Sequence, residues 1–447
     1  MRDGKRSKDG REGGERIVRQ ALERCAEVFS PRHVDRLRES SGYNPRQRKA
    51  TARRLLLVCV EACLSGYTLG FATLRGFFVK RFGRIRPRAF QLRFKSAQAV
   101  EFFRQALHHF VCEVVDDLMP ELQGPLSAFS DVLVYDGSGQ RVPPRGRKQG
   151  LKATTAESAG SKWVIGYSLR SGVAFEGRPD SATCSELGSW RQLVGAIRPG
   201  ALYLLDLGFF CRELYERMLE SQAHLLMRLK GCNHLRDKLR VVGGLEKGLS
   251  WKPRKEYSVA TYLRRANRYR LHRFDLDVEW GMGRGALPLR VVGVYRDKRW
   301  YLYLTTVPRD VLSAEHVAAA YRLRWLVEFL FREWKQVFDW GRSATADRHA
   351  LFALGYASLL AHALVRSLRI AAAVEYQVPL ESLRPSACLH IARAFASELV
   401  SALLHAAVHR WMLLCHRFLR AVLDVAYEPR PSRSRPRIAA VLGAPGG

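Results

Sequence analysis

Several common sequence features are missing from this chain, and each absence narrows the classes of protein to consider. The nine cysteines are odd in number and include no C-x-x-C pair. A disulfide framework or a zinc ribbon is therefore not predicted, and reduced thiols in a cytoplasmic protein are expected. The first fifteen residues contain no apolar run, so no secretory signal is predicted. No glycine-rich phosphate-binding loop and no internal repeat is found.

Long apolar runs and acidic residues are also scarce. The longest apolar run, at about 351–365, is followed by Arg366 and Arg369 and is too short for a membrane span. The 42 acidic residues face 74 Lys and Arg, which gives a formal net charge of +32. This surplus predicts a polyanionic partner, most simply a nucleic acid. A membrane surface is the competing partner, but the basic residues are spread through the chain rather than gathered on one amphipathic segment.

The pattern of apolar residues divides the chain into four regions. Residues 1–15 predict a disordered basic arm. Residues 16–125 predict helices joined by basic connectors, which is typical of a small DNA-binding domain and also of an ordinary solvated helical surface. Residues 126–375 alternate strand-like and helical segments. Residues 376–447 predict further apolar helices and a basic tail.

Strand-like segments in the third region follow a definite order. FSDVLVYDGSG predicts a strand that ends at Asp136, before a Gly-Ser-Gly turn, and ALYLLD predicts a fourth strand that ends at Asp206. Between them, LKATTAES and KWVIGYSLRSG predict the second and third strands, and CSELGSWRQLVGAI predicts a helix. A helix in LGFFCRELYERMLESQ and a fifth strand in HLLMRLK follow. This is the order of a ribonuclease H-like α/β fold, in which the first and fourth strands end side by side.

A β-strand insertion is predicted at about 231–308. Its strand-like segments are EYSVATYLRR, RYRLHRFDLDVEW, LPLRVVGVYR and RWYLYLTTV. The predicted fold class is therefore a ribonuclease H-like catalytic core with a β insertion, flanked by N-terminal and C-terminal helical regions.

The segment AAYRLRWLVEFLFREWKQVFDW predicts one amphipathic helix. At about 100° per residue, Tyr321, Arg324, Glu328 and Lys335 fall within an arc of roughly 60°. Glu333 lies roughly 140° around the helix from Glu328, so it is predicted to lie outside any site that Glu328 forms. An ordinary solvated helix face is the alternative interpretation. The opposite arc is apolar and consists of Leu323, Leu326, Val327, Leu330, Phe331, Trp334, Val337 and Phe338.

The spacing Tyr-x2-Arg-x3-Glu-x6-Lys resembles the signature of the insertion-sequence-four family of bacterial DDE transposases. The insertion is similar too, because in that family it lies between the second and third acidic residues. The resemblance implies metal-dependent cleavage at the terminal inverted repeats of a transposon and strand transfer into target DNA, by cut-and-paste in the bacterial cytoplasm. It implies that Asp136, Asp206 and Glu328 are the catalytic, metal-binding carboxylates.

Three converging carboxylates repel one another, so a divalent cation is their natural stabiliser. Hard oxygen ligands favour Mg²⁺, and Mn²⁺ is expected to substitute. Two ions are expected, since a two-metal site activates the attacking oxygen and stabilises the leaving oxygen of a phosphodiester.

The resemblance also implies DNA-binding residues. Arg324 and Lys335 would hold phosphates beside the scissile bond, and Tyr321 would hydrogen-bond one of them. Trp300 resembles the aromatic residue that stacks on a base flipped out near the cleavage site, and the alternative is a core position in a β-sheet. Two basic residues at the end of the fifth strand are further candidates, Arg228 and Lys230.

Two DNA ends must be cut and joined together, so a homodimer is expected in the paired-end complex. The apolar segment 387–425 is the predicted interface, and packing against the rest of the chain is the alternative. Two other functions remain open: a ribonuclease H-like nuclease without strand transfer, and an inactive transposase-derived DNA-binding protein.

Overall fold

The structure is a computed structural model of the 447-residue chain. It describes residues 2–45, 48–119, 121–155, 157–185, 187–188, 197–229, 238–245, 257–281, 285–337 and 340–429. The chain forms two compact units. Unit 1 comprises Met1–Pro120, Gly137–Ser185 and Glu328–Arg435, and unit 2 comprises Glu121–Asp136, Glu186–Val327 and Pro436–Gly447.

The helices, in chain order, are α1 (Arg2–Val28), α2 (Pro31–Ser40), α3 (Ala52–Leu64), α4 (Phe71–Phe82), α5 (Pro87–Gln91), α6 (Ala97–Phe110), α7 (Asp116–Leu118), α8 (Arg212–Glu220), α9 (Val259–Arg268), α10 (Ala314–Arg322), α11 (Leu326–Val337), α12 (Arg348–Glu375), α13 (Pro385–Leu404) and α14 (Val408–Ala426). The strands are β1 (Val132–Val142), β2 (Ala159–Ser168), β3 (Val173–Ser181), β4 (Leu202–Leu205), β5 (His224–Leu229), β6 (Leu239–Leu245), β7 (Arg273–Trp280), β8 (Leu287–Arg296) and β9 (Arg299–Thr305).

Helix α12 is the core of unit 1. It begins where the Asp347 carboxylate accepts the backbone N–H of Ala350 at 3.0 Å, which is an N-cap. Its residues 350–373 are buried against α1, α3, α6, α13, α14 and β3. Gly355 allows the closest approach, because a Cβ atom there would lie 2.2 Å from the ring of the fully buried Trp163.

Among the helices that the structure describes, α12 and α13 have the length and apolar composition of a membrane-spanning helix. In α12 the whole apolar window is buried inside the protein, and in α13 the buried share is 56%. A buried core helix needs the same apolar composition, so the packing within unit 1 accounts for these two segments.

The sheet orders confirm the predicted fold class. In unit 2 the order is β1-β4-β5-β9-β8-β7-β6, with β1, β4 and β5 parallel and the later strands antiparallel. In unit 1 the order is β3-β2-β1, and β2 and β3 are antiparallel. Strand β1 contributes to both units, since unit 2 ends at Asp136 and unit 1 resumes at Gly137. The order around β1, 3-2-1-4-5, is that of a ribonuclease H-like core.

Of the predicted second and third strands, the second is wrong, and KWVIGYSLRSG, predicted as the third, contains most of β2. LKATTAES forms no strand beyond a bridge from Lys152 to Ala159, and β2 instead begins at Ala159. The third strand is β3, which the sequence does not predict because it contains Gly177 and Pro179, two residue types that are unfavourable in strands. Proline is tolerated because β3 is at the edge of the order. The Gly-Ser-Gly turn is also wrong, since β1 continues through it and ends at Val142, before Pro143 and Pro144.

Three further differences concern single segments. EYSVATYLRR was expected to be a strand, but α9 occupies most of it, and Ser258 caps this helix by accepting the N–H of Thr261. Helix α1 begins at Arg2, so residues 2–15 are helical instead of a disordered arm. Most of the helix predicted in CSELGSWRQLVGAI lies outside the described residues.

Candidate active site

Asp136 lies in β1 and Asp206 directly follows β4, the parallel neighbour of β1, at the equivalent position along the chain. The printed register pairs Val132 with Leu202 and Val134 with Leu204, and each aspartate lies two residues beyond the last of these pairs. Side chains two residues apart point to the same face, and neighbouring strands lie about 4.8 Å apart. The two carboxylates are therefore adjacent on one face of the sheet of unit 2. Both side chains are half-buried.

The segment that carries Tyr321 and Arg324 is helical but is not one α-helix. Helix α10 ends at Arg322, a 3₁₀ turn spans Leu323–Trp325, and α11 begins at Leu326. A 3₁₀ turn advances about 120° per residue instead of 100°. The single α-helix expected for this segment is therefore wrong, but three such residues add only about 60° of rotation in all, and the backbone stays in the right-handed helical region.

Arg324 interacts electrostatically with both aspartates, and it forms an ion pair with Asp136. Its Nη1 donates to Asp136 Oδ2 at 2.9 Å, and both side chains are largely shielded from solvent. Burial opposes the charged guanidinium, but Tyr321, Asp136 and Asp206 together outweigh burial and raise the pKa of Arg324. The positive charge therefore stays beside the two carboxylates.

Tyr321 lies beside the fourth strand. Its hydroxyl donates to the Leu205 carbonyl oxygen at 3.4 Å, one residue before Asp206. Burial raises the pKa of Tyr321 to about 12; Arg324 opposes this shift and Asp206 adds to it. The tyrosine is therefore a neutral hydrogen-bond donor at neutral pH.

Glu328 and Lys335 both belong to α11 in unit 1. Glu328 is half-buried in the first turn, and Lys335 is exposed in the last turn. Glu333, predicted to lie outside any site that Glu328 forms, makes a buried ion pair with Arg366 and lies 3.8 Å from His362. Glu333 is thus a structural residue of unit 1.

A cavity of about 910 Å³ in unit 2 is lined by basic and aromatic side chains. Tyr321 and Arg324 line it, and Arg228 faces it from β5. Arg228 is opposite Tyr303 on β9, and its guanidinium carbon lies 4.9 Å from the centre of the Tyr301 ring. The cavity therefore combines positive charge with flat apolar faces, the two properties that bind phosphates and bases.

Trp300 lies elsewhere. Its ring centre is 4.9 Å from that of Phe274, and its Nε1 donates to Asn267 at 2.5 Å. Trp300 is not among the cavity-lining residues, which include its strand neighbours Tyr301 and Tyr303. Sequence reasoning missed these two tyrosines, although the alternation of YLY would have placed them on one face. Lys230 lies outside the described residues.

Residues 127–364, more than half of the chain, match the family model described as Transposase DDE domain. The chain is similar to the transposase for insertion sequence element IS231D of Bacillus thuringiensis subsp. finitimus, with 21% identity over 351 residues, 70% of this chain and 71% of that protein. The IS231C transposase of Bacillus thuringiensis subsp. berliner is 22% identical over 373 residues, 74% of this chain and 76% of that protein.

A solved structure also matches along most of the chain. It is a piggyBac transposase synaptic complex with hairpin DNA, which covers 94% of this chain and 86% of its own, with a TM-score of 0.42 and 11% identity. DDE transposases cleave DNA and transfer strands, and they depend on divalent cations. The match over residues 127–364 includes both aspartates and the whole Tyr-Arg-Glu-Lys segment, and it shows that this chain belongs to the transposase DDE domain family.

Proposed function

We propose that this protein is a bacterial cut-and-paste transposase that cleaves at terminal inverted repeats and joins the freed ends to target DNA. Asp136, Asp206 and Glu328 are its metal ligands. Two observations support this proposal: the parallel β1–β4 register, from which Asp136 and Asp206 are expected to be neighbours, and the ion pair between Arg324 and Asp136.

The donor set fits divalent cations. Two carboxylates on one sheet face, about 5 Å apart at the backbone, supply the hard oxygens that Mg²⁺ and Mn²⁺ prefer. The ion pair between Arg324 and Asp136 is consistent with a site that stabilises positive charge. Glu328 follows Arg324 by one helical turn along the chain, which supports its role as the third ligand. Two bound Mg²⁺ ions supply activation of a water or 3′ hydroxyl and stabilisation of the leaving oxygen.

The remaining residues bind and orient DNA. Arg324 and Lys335 hold phosphates, and the neutral hydroxyl of Tyr321 donates a hydrogen bond. Arg228 and the aromatic side chains of the unit 2 cavity hold the strand near the cleavage point. Trp300 and Lys230 remain candidates for DNA contact.

Its partners are double-stranded transposon ends and target DNA, and its place of action is the bacterial cytoplasm. Processing two ends together supports a homodimer in the paired-end complex. Most apolar side chains of α13 and α14 are buried within unit 1, which favours packing over an interface at residues 387–425, whereas Val408, Leu413 and Val425 of α14 are exposed. Trp411, for example, is fully buried and donates to the Leu22 carbonyl oxygen of α1 at 2.7 Å.

A nuclease of the same fold without strand transfer is the second candidate. Incubation of pre-cleaved ends with target DNA separates the two, because only a transposase joins them. An inactive DNA-binding protein is disfavoured because all three carboxylates are present.

The acid triad is tested by charge-removing substitutions of similar size. Asp136→Asn, Asp206→Asn and Glu328→Gln should each abolish cleavage of a labelled transposon end while end binding in a gel-shift assay stays near wild type. Glu216→Gln, at an exposed position on α8, is the matched control and should cleave normally. Glu333→Gln is unsuitable as a control, since it leaves Arg366 buried without its ion-pair partner. Substantial Mg²⁺-dependent cleavage by any triad variant would remove that residue from the site.

A further inference from the structure

Three metal-binding side chains meet in the N-terminal part of unit 1, where the proposed function needs none. His33 lies in the first turn of α2, and His109 lies near the end of α6. Glu113 lies one turn after His109, within a π-helical turn at Val111–Val115. One potential ligand atom from each of the three residues lies within 4.8 Å of the other two.

The geometry of this cluster is close to that of a metal site. His109 Nδ1 and Glu113 Oε1 are 3.4 Å apart, and the rings of His33 and His109 are nearly perpendicular with centres 5.3 Å apart. Ligand atoms around tetrahedral Zn²⁺, with bonds of about 2.0–2.1 Å, are separated by about 3.3 Å. Movements of about 1–1.5 Å would therefore complete the site. The half-exposed side chains of His109 and Glu113 have room to make them.

The buried histidine provides a second observation. His33 is 3% exposed, and its Nε2 has no hydrogen-bond partner among the residues that the structure describes. An unpaired buried polar atom costs free energy, and a bound ligand relieves that cost. A π-helical turn is itself uncommon and occurs frequently at functional sites. Both observations concern the same cluster.

We propose that His33, His109 and Glu113 bind a transition-metal ion of the Zn²⁺ class, which ties α2 to the C-terminal end of α6. Two imidazoles and one carboxylate suit zinc rather than Mg²⁺, which prefers oxygen ligands alone. Water fills the fourth position, since His109 and Glu113 are open to solvent. None of these residues belongs to the acid triad, so the site does not depend on the proposed catalytic role.

Neighbouring charges set the conditions for binding. Burial lowers the pKa of His33, with Glu113 opposing this shift and His109 and Arg36 adding to it. Arg36 is exposed, and its Nη2 lies 3.3 Å from His33 Nδ1. When Nε2 binds metal, Nδ1 carries the ring proton. The Arg36 side chain then swings into solvent, which its exposure permits.

The test uses the full chain with Asp136→Asn and Asp206→Asn, so that the proposed catalytic carboxylates contribute little metal binding. Metal-free protein is titrated with Co²⁺, followed by visible absorption, and with Zn²⁺ against a fluorescent chelator. We expect one tight equivalent of Zn²⁺ and a rise in the unfolding temperature when Zn²⁺ is added. His109→Ala and Glu113→Gln should weaken binding by about 100-fold or more, since even outer-shell partners are worth 10–100-fold.

The control is the double variant His108→Ala/Cys112→Ser, which removes the nearest other ligand pair, whose sulfur and ring nitrogen atoms are 3.9 Å apart. It should bind Zn²⁺ as the parent does. His109 and Glu113 are half-exposed, so their variants should keep the far-ultraviolet circular dichroism of the parent without metal. The proposal is overturned if the parent shows no saturable equivalent of Zn²⁺, if His109→Ala binds as tightly as the parent, or if the control loses binding equally.

Discussion

Arg324 places a permanent positive charge on a carboxylate that we propose as a metal ligand. Without a cation, this ion pair limits the repulsion between Asp136 and Asp206. Once a cation takes that role, the guanidinium is available to a phosphate, to which arginine binds in bidentate geometry. One residue can thus both protect the empty acidic site and bind its substrate.

Arg324→Ala should therefore slow cleavage by about 10²-fold, comparable with the loss of a charge-stabilising donor in other enzymes. Arg324→Lys should recover only part of this loss, because lysine keeps the charge but lacks the planar fork. Single-turnover nicking of a labelled transposon end measures the effect. Arg217→Ala, at an exposed position on α8, is the control. Wild-type cleavage by Arg324→Ala would contradict the proposed role.

Trp300 has two competing roles that kinetics can separate. If it stacks on a flipped base, Trp300→Ala should spare the first nick and impair strand opening, and a pre-opened end should restore activity. Its contacts with Phe274 and Asn267 instead favour sheet packing, whose loss would cost about 1–3 kcal/mol of unfolding free energy and slow every step. Nicked, hairpin and fully cut products followed over time decide between them.

Tyr303→Ala is the comparison for this experiment, because Tyr303 lines the unit 2 cavity and Trp300 does not. A strand-opening defect in Tyr303→Ala, together with equal slowing of every step in Trp300→Ala, would show that Trp300 acts through sheet packing and not through base stacking. The reverse pattern would support the base-stacking role predicted for Trp300.

At the scale of elements, α11 is fixed to α12 by a buried ionic network. Burial disfavours ionisation of Glu333, but Arg366 and His362 outweigh burial and lower its pKa to about 2. The guanidinium of Arg366 also donates to His362 Nε2 at 3.2 Å. Glu333 therefore stays charged in the folded protein at pH values where the unfolded chain takes up a proton.

This network predicts a specific loss of stability in acid. Its contribution is fully present above the usual glutamate pKa of about 4.5 and declines as the pH falls toward about 2. Glu333→Gln should cost about 3–5 kcal/mol at pH 7, because it leaves Arg366 buried without a counter-charge. Thermal unfolding of both proteins from pH 7 to pH 3 tests this. The gap between them should narrow below pH 4.5, and a constant gap would contradict the assignment.

The sequence predicts some elements well because their signals are local. The β-branched run before Asp136 and the apolar ALYLL before Asp206 contain little else that competes with a strand. Strand β3 lacks such a local signal, because Gly177 and Pro179 usually interrupt strands. Proline is accepted here because β3 lies at the edge of the sheet. The 3₁₀ turn at Leu323–Trp325 is also beyond a periodicity argument, because three residues are too few to distinguish 100° from 120°.

The candidate site divides in the same way. The predicted strand order puts the first and fourth strands side by side and so predicts that Asp136 and Asp206 are neighbours, although β1 continues beyond Asp136 to Val142 instead of ending there. The Arg324–Asp136 ion pair joins residues 188 positions apart, for which the family resemblance implied separate roles. For Glu333, its angle from Glu328 correctly predicted a position outside the site. The angle could not predict the buried ion pair with Arg366, because Arg366 lies on another helix.

For the whole molecule, the net charge of +32 sets a strong attraction to any DNA and adds to the specific contacts. Phosphate neutralisation releases condensed counterions, so the logarithm of the binding constant should fall linearly as the logarithm of the salt concentration rises. Because Lys335 is exposed on α11 and proposed to contact one phosphate, Lys335→Ala should reduce the steepness of this slope by about 1. Glu216→Gln should leave the slope unchanged.

Fluorescence anisotropy with a labelled transposon end and a scrambled duplex, at several salt concentrations and in EDTA, measures this slope. EDTA prevents cleavage, so the experiment reports binding alone. The slope for the scrambled duplex should stay steep, since it reflects phosphate charge and not sequence. If Lys335→Ala weakened binding without changing the slope, Lys335 would act through packing or an indirect effect on α11, and the proposed phosphate contact would be withdrawn.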